Sequence, residues 1–274
     1  MKLGTITKNM KHRSLDEILA LTSGIGYESV EISARPREKH VDVDQILSDD
    51  GNDLREHMSG TGMIISAFTC HLNLMDAEKG EQFRGHFDKT LKAAASMEVP
   101  VVTAVPGMPV GVNERDAFDI FKEVWKPRIE LAEELEISVA METFPNHIAY
   151  NVPSIRRMFE VLPSERLGLN FDPSHAVWQG IDNYKIIGEF SDKIFHAHAK
   201  DTEILKDILL KRGVRGRGWW RFRIPGWGLI DWRRMITALK ESGYDYVLSF
   251  EHEDKTFGDM EGTEKTYEYL AELV

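Results

Sequence analysis

Four residues able to bind a metal ion stand where apolar runs stop. Glu142 follows Val139-Ala140-Met141, Asp172 follows Leu169-Asn170-Phe171, His198 follows His196-Ala197, and Glu251 follows Leu248-Ser249-Phe250. Taken singly, each has an ordinary reading. A strand-end Asp or Glu caps the next helix or joins a salt bridge, and a strand His is hydrogen-bonded in a core. The signal is that four successive runs end alike. Three carboxylates and one imidazole form an oxygen-rich, fairly hard donor set, which suits Mn²⁺, Mg²⁺ or Co²⁺; Zn²⁺ also fits but more often recruits further His or Cys. The expected cofactor is one divalent ion, with Mn²⁺ ahead of the others. His175 lies one turn beyond Asp172 and is expected above the ion, facing substrate. Trp178 and Gln179 follow as expected pocket wall.

For these side chains to meet, the runs carrying them must lie side by side and point one way. β-prone runs are read at Leu3–Ile6, Ser29–Ile32, Ile64–Phe68, Val101–Val105, Ser138–Met141, Leu167–Phe171, Ile194–Ala197 and Tyr246–Phe250. Segments of helical periodicity separate them. Ser14-Leu15-Asp16-Glu17 has a capping-box pattern, and Pro153 suits a first helical turn. Helices are also expected over Glu81 to Ser96, Arg115 to Leu135 and Met260 to Leu273. Eight strands alternating with helices predict a closed (β/α)₈ TIM barrel spanning residues 1–274 as one domain. The rival open sheet would need a Gly-rich turn after the first strand, which is missing. In a barrel all eight strands end at one rim, where barrel enzymes carry their chemistry.

The chain's 274 residues match one such barrel, typically ~250 residues. Its single cysteine, Cys70, rules out an internal disulfide and reads as a small buried residue, not a nucleophile. No apolar run approaches the ~20 residues of a membrane span, and the N-terminus lacks a signal-peptide core. A cytoplasmic, membrane-free protein is expected. A net charge of −11 argues against nucleic acid as the main partner. One basic stretch stands out: Lys206, Lys211, Arg212, Arg215, Arg217, Arg221 and Arg223 lie in an insertion after the seventh strand, roughly 201–228. It also holds Trp219, Trp220 and Trp227 and is expected as a lid or pocket wall. Its cations could take a phosphate or form a subunit contact with the acidic body, and a homo-oligomer is expected.

The sequence resembles the xylose isomerase-like barrels, the sugar phosphate isomerase/epimerase group that also contains the family 2 apurinic endonucleases. The resemblance rests on Glu142 after Ser138-Val139-Ala140-Met141, on Asp172-Pro173-Ser174-His175, on His196-Ala197-His198-Ala199-Lys200-Asp201, on Pro225-Gly226-Trp227-Gly228-Leu229-Ile230-Asp231-Trp232 and on Phe250-Glu251. It implies that Glu142, Asp172, His198 and Glu251 bind one ion, that His175 contacts substrate or supports the metal shell, and that Lys200 reaches a substrate oxygen or pairs with Asp201. His71, just past the third strand, is a second candidate for the substrate side, and Glu31 reads as structural.

The implied activity is isomerisation or epimerisation of a keto-sugar or inosose through a cis-enediolate. Glu142 and Glu251, on nearly opposite sides of the ion, would exchange the proton. Two departures narrow this. Ketohexose 3-epimerases carry a Glu and an Arg where this chain has Ile148 and Ile204. Lyases acting on 3-keto-glucosides share Tyr150-Asn151-x-x-Ser154 and Trp178-Gln179-Gly180, but place a His where Phe144 stands, unless His147 replaces it. A nuclease would need further His ligands, and Asp231-Trp232-Arg233 lacks the required one. A non-catalytic sugar-binding barrel would be expected to have lost ligands, and all four are present.

Overall fold

The computed structural model describes residues 1–274. Its strands are β1 (Lys2–Ile6), β2 (Ser29–Ser33), β3 (Ile64–Thr69), β4 (Val101–Ala104), β5 (Ser138–Glu142), β6 (Leu167–Phe171), β7 (Ile194–Ala199), β8 (Asp201–Ile204), β9 (Trp220–Arg223) and β10 (Val247–Phe250). Its helices are α1 (Leu15–Ile25), α2 (Val43–Asp49), α3 (Asn52–Met58), α4 (Gly80–Ser96), α5 (Glu114–Glu134), α6 (Val152–Val161), α7 (Pro173–Gln179), α8 (Asn183–Phe190), α9 (Lys206–Arg212), α10 (Trp232–Glu241) and α11 (Asp259–Ala271).

Eight strands close into a parallel barrel in the order β1-β10-β7-β6-β5-β4-β3-β2, as the alternation of runs predicts. Most of their residues are buried on both sheet faces, which is why the runs read as continuous apolar stretches and not as alternating ones. Outside the sheet, Trp125 and Phe87 pack edge-to-face at 5.1 Å, and Trp125 Nε1 donates to the Pro106 carbonyl at 3.1 Å. Burying each such ring contributes about 2–3 kcal/mol. The capping box at α1 forms: Ser14 N–H donates to Glu17 at 2.8 Å, and Glu17 N–H donates to Ser14 Oγ at 3.2 Å. No helix is long and apolar enough to cross a membrane.

Two parallel registers slip, between Val30 and Glu31 and between Leu169 and Asn170. Such irregularities re-aim side chains, and both precede residues that build the site. Between β7 and α10 the chain makes an antiparallel hairpin of β8 and β9, with α9 at its far end. Asp201 ties its base to the barrel. The buried carboxylate accepts from Thr202 N–H (2.7 Å), Ile230 N–H (3.0 Å) and Trp232 Nε1–H (3.0 Å). Gly228 is required here, because a Cβ would stand 2.1 Å from Asp201 Oδ1.

Candidate active site

Glu142 is the last residue of β5, Asp172 follows β6, His198 lies in β7 and Glu251 follows β10. Glu142, Asp172, His198 and Glu251 each offer a ligand atom, and the four atoms lie within 4.8 Å of one another, all buried. His198 Nδ1 is 3.7 Å from Glu142 Oε2, 3.9 Å from Asp172 Oδ2 and 3.4 Å from Glu251 Oε2. Glu142 Oε2 and His198 Nδ1 are buried without a hydrogen-bond partner, and Asp172 Oδ2 has only the Lys200 ammonium beside it, at 2.9 Å. Leaving one such atom unsatisfied costs about 1–3 kcal/mol. Two such atoms facing the same point as the Asp172 and Glu251 oxygens is the arrangement a divalent cation resolves, and the donor set fits one.

The atoms not aimed at that point are held by the protein. Asp172 Oδ1 accepts from Ser174 N–H at 2.9 Å and so caps α7. His198 Nε2–H donates to Glu31 Oε2 at 3.0 Å, which leaves Nδ1 as the ligand nitrogen. Glu31, wholly buried, also accepts from Ser249 Oγ (2.8 Å), Thr103 Oγ1 (3.2 Å) and the Thr69 hydroxyl. The sequence reading of Glu31 as structural therefore needs a sharper role: it orients the metal histidine. Below it, His196 Nδ1–H donates to Asn170 Oδ1 at 3.0 Å and its Nε2 lies 3.3 Å from Ser66 Oγ. Glu31, His196 and His198 lie close enough to hold an ion. Glu31 and His196 are already taken up by hydrogen bonds, and the trio reads as a polar core network.

Lys200 is buried, with its Nζ 2.9 Å from Asp172 Oδ2 and 3.4 Å from Glu253 Oε2, and it donates to Glu251. The alternative pairing of Lys200 with Asp201 is not formed. Neighbours in extended chain point to opposite sides, and Asp201 is used at the hairpin base. His175 Nε2–H donates to Glu142 Oε1 at 3.0 Å, and His71 Nε2 stands 3.4 Å from Glu142 Oε2. Gln179 is not in the pocket: its amide donates to the His175 carbonyl at 2.8 Å, one turn back on α7.

Lys8, which the sequence reading passed over, ion-pairs with Glu251 Oε1. It lies just past β1, so a search of strand ends for charged residues of either sign, and not for metal-binding types alone, would have found it. Glu253, also passed over, lines the same pocket.

The two glutamates sit in different fields. Burial raises the Glu251 carboxyl, but Lys200 and Lys8 hold it well below the ordinary carboxylate range. Burial and the facing Glu251 raise Glu142, but His71, His175 and His198 hold it below that range. Burial alone would discharge Lys8 and Lys200, yet their carboxylate neighbours keep both charged above the usual lysine range.

The pocket over this cluster has a volume of about 390 Å³ and is lined on one side by Phe144, Trp178, Trp220 and Phe222. Trp178 and Trp220 stack at 4.4 Å with 5° between their planes. Phe222 and Trp220 come from β9, so the insertion supplies pocket wall. Trp219 is buried behind them, and Trp227 packs on Phe257 at 5.7 Å.

The basic stretch does not enter the pocket. Arg221 and Arg223 pair with Glu203, Arg223 also pairs with Asp254, and the remaining cations are exposed on and after α9. Tyr150-Asn151-x-x-Ser154 is the capping box of α6. His147 is occupied elsewhere: its Nδ1 accepts from Gly107 N–H at 2.9 Å. Asp231 caps α10. Cys70 is buried, and burial pushes its thiol up to about 12, as suits a packed residue.

A family model described as xylose isomerase-like TIM barrel matches residues 19–273. The chain belongs to the xylose isomerase-like TIM barrel family. Among curated relatives it is 24% identical to the uncharacterised protein YfiH of Bacillus subtilis, over 100% of this chain and 99% of that one. It is 26% identical to an inosose isomerase of Bacillus velezensis, covering 88% of this chain and 84% of the relative. An inosose dehydratase of Geobacillus thermodenitrificans is 24% identical over 80% of each chain. Among solved structures, the IolI protein with a bound zinc atom superposes with a TM-score of 0.79 at 21% identity, covering 100% of this chain and 98% of that one. This last likeness shows that the two share a fold.

Proposed function

We propose that this chain is a divalent-metal-dependent isomerase or epimerase of an uncharged keto-sugar or inosose. The observation that carries the reading is the convergence of four buried ligand atoms, from Glu142, Asp172, His198 and Glu251, at the floor of an aromatic-walled pocket. A divalent ion held there would polarise a substrate carbonyl and its neighbouring hydroxyl and favour loss of the C–H proton between them, giving a cis-enediolate. Mn²⁺ is the ion we propose from the donor set, and the zinc atom of the similar IolI structure supports a divalent ion in this fold.

Glu142 and Glu251 are the proton-transfer pair of the proposal. Glu251 is clamped by two ammonium groups and is the weaker base. Glu142 touches imidazoles instead, so it takes the proton, and His175 lies at 3.0 Å to share it. The Glu251–lysine side returns a proton to the other carbon or face. Phe144, Trp178, Trp220 and Phe222 offer a surface to the C–H faces of a sugar ring.

The charge balance favours an uncharged substrate. Lys8 and Lys200 face Glu142, Asp172, Glu251 and Glu253, a deficit that a divalent ion cancels, and no arginine lines the pocket. A phosphate would find no free cation there.

A second reading is dehydration, favoured by the relatives named inosose dehydratase. It starts with the same proton removal and then expels a β-hydroxyl as water, with Lys200 or His175 supplying the proton. Cleavage of 3-keto-glucosides through a His base is disfavoured, because Phe144 occupies that position and His147 is tied to Gly107.

Metal-loaded protein in D₂O should exchange the α-proton of inososes or simple keto-sugars, followed by NMR, and Glu142→Gln should stop it. Product that has lost water would select dehydration. A panel of inososes, 3-keto-glucose and ketoses that all keep their α-protons would refute both readings.

A further inference from the structure

Apolar side chains left in water gather on one rim of this barrel. The three most exposed are Val110 at 90%, Leu210 at 84% and Val214 at 74%. Val110 lies between β4 and α5; Leu210 is on α9 and Val214 just after it. All three therefore rise from βα connections on the rim where the metal ligands lie. A single exposed aliphatic is ordinary on a protein surface; Leu210 and Val214 stand close together on one arm, and the charges around them set that arm apart.

The charges around the two patches are opposite. Lys206, Lys211, Arg212, Arg215 and Arg217 are exposed around Leu210 and Val214, whereas the other insertion cations, Arg221 and Arg223, have carboxylate partners. Val110 leads into a helix start that exposes Glu114, Asp116, Asp119 and Glu123 against only Arg115 and Lys122. The arm leaves from β7 and the acidic loop from β4, three strands apart around the ring. Each patch suits the other on a separate molecule by charge.

We propose that the arm formed by α9 and residues 213–217 docks on the Val110 loop and the start of α5 of a second copy, giving a two-fold dimer joined across the catalytic rim. In a two-fold dimer the contact is made twice, once in each direction.

Sedimentation velocity of the full chain tests this. Wild type should sediment at twice 31.3 kDa at micromolar concentration and dissociate as salt shortens the screening length. Leu210→Glu should raise the dissociation constant at least about tenfold. Reversing Arg212 and Arg215 to Glu, or Glu114 and Asp116 to Arg, should each weaken the dimer, and combining both sets should restore it. All five side chains are exposed, so circular dichroism should confirm an intact fold in every variant. A monomer at all concentrations overturns the proposal, and so does binding to DNA or anionic vesicles without self-association. Weakening by the arm reversal but not by the loop reversal overturns it too, because the arm then meets another surface.

Discussion

Asp172 uses its two carboxylate oxygens for two purposes. Oδ1 caps α7 through Ser174 N–H, and Oδ2 faces the ligand cluster with the Lys200 ammonium 2.9 Å away. Asn caps a helix about as well as Asp. Asp172→Asn should therefore keep the fold by circular dichroism while metal analysis shows the ion lost; full metal content in the variant would refute the assignment. Glu31 acts one residue away, through His198. Glu31→Gln should weaken divalent-ion affinity about 10–100-fold, since partners of a metal histidine have that effect. An unchanged affinity in a calorimetric titration would show that His198 does not need its partner. Glu31 was legible as a buried strand residue, but its use was not: it meets His198 across the barrel, 167 residues away in sequence.

At the scale of elements, the hairpin of β8 and β9 depends on one carboxylate. Asp201→Ala strips the acceptor from three buried N–H groups and should cost about 2–4 kcal/mol, measured by urea denaturation. A loss under half a kilocalorie would mean that water or a shifted loop satisfies them. The same hairpin carries Trp220, stacked on Trp178. If the aromatic wall binds the sugar, Trp220→Ala should raise KM about tenfold and leave kcat nearly unchanged, because it touches no ligand. The eight barrel strands could be read from sequence because each is buried on both faces. The hairpin could not: Trp220-Arg221-Phe222-Arg223 alternates, and its arginines made it look like surface charge. The insertion was expected as a lid or wall, and the structure supplies the wall from β9 while leaving most of the cations outside.

Over the whole molecule, stability should follow the buried imidazoles. Burial holds His147 neutral down to about 4, against an ordinary 6.5. Between those values the unfolded chain binds a proton that the folded chain refuses. Stability contributed by His147 is therefore complete above pH 6.5 and is lost as pH falls toward 4. Urea midpoints taken from pH 7 to pH 4 should decline, and His147→Gln should decline less steeply; parallel curves would show that other groups account for the slope.

The polar groups around the four ligands are positioned by protein contacts alone: Asp172 by a backbone amide, His198 by Glu31, Glu142 by His175, and Glu251 by two lysines. Each ligand thus spends one atom on a protein contact, and that contact decides which oxygen or nitrogen is left to face the ion.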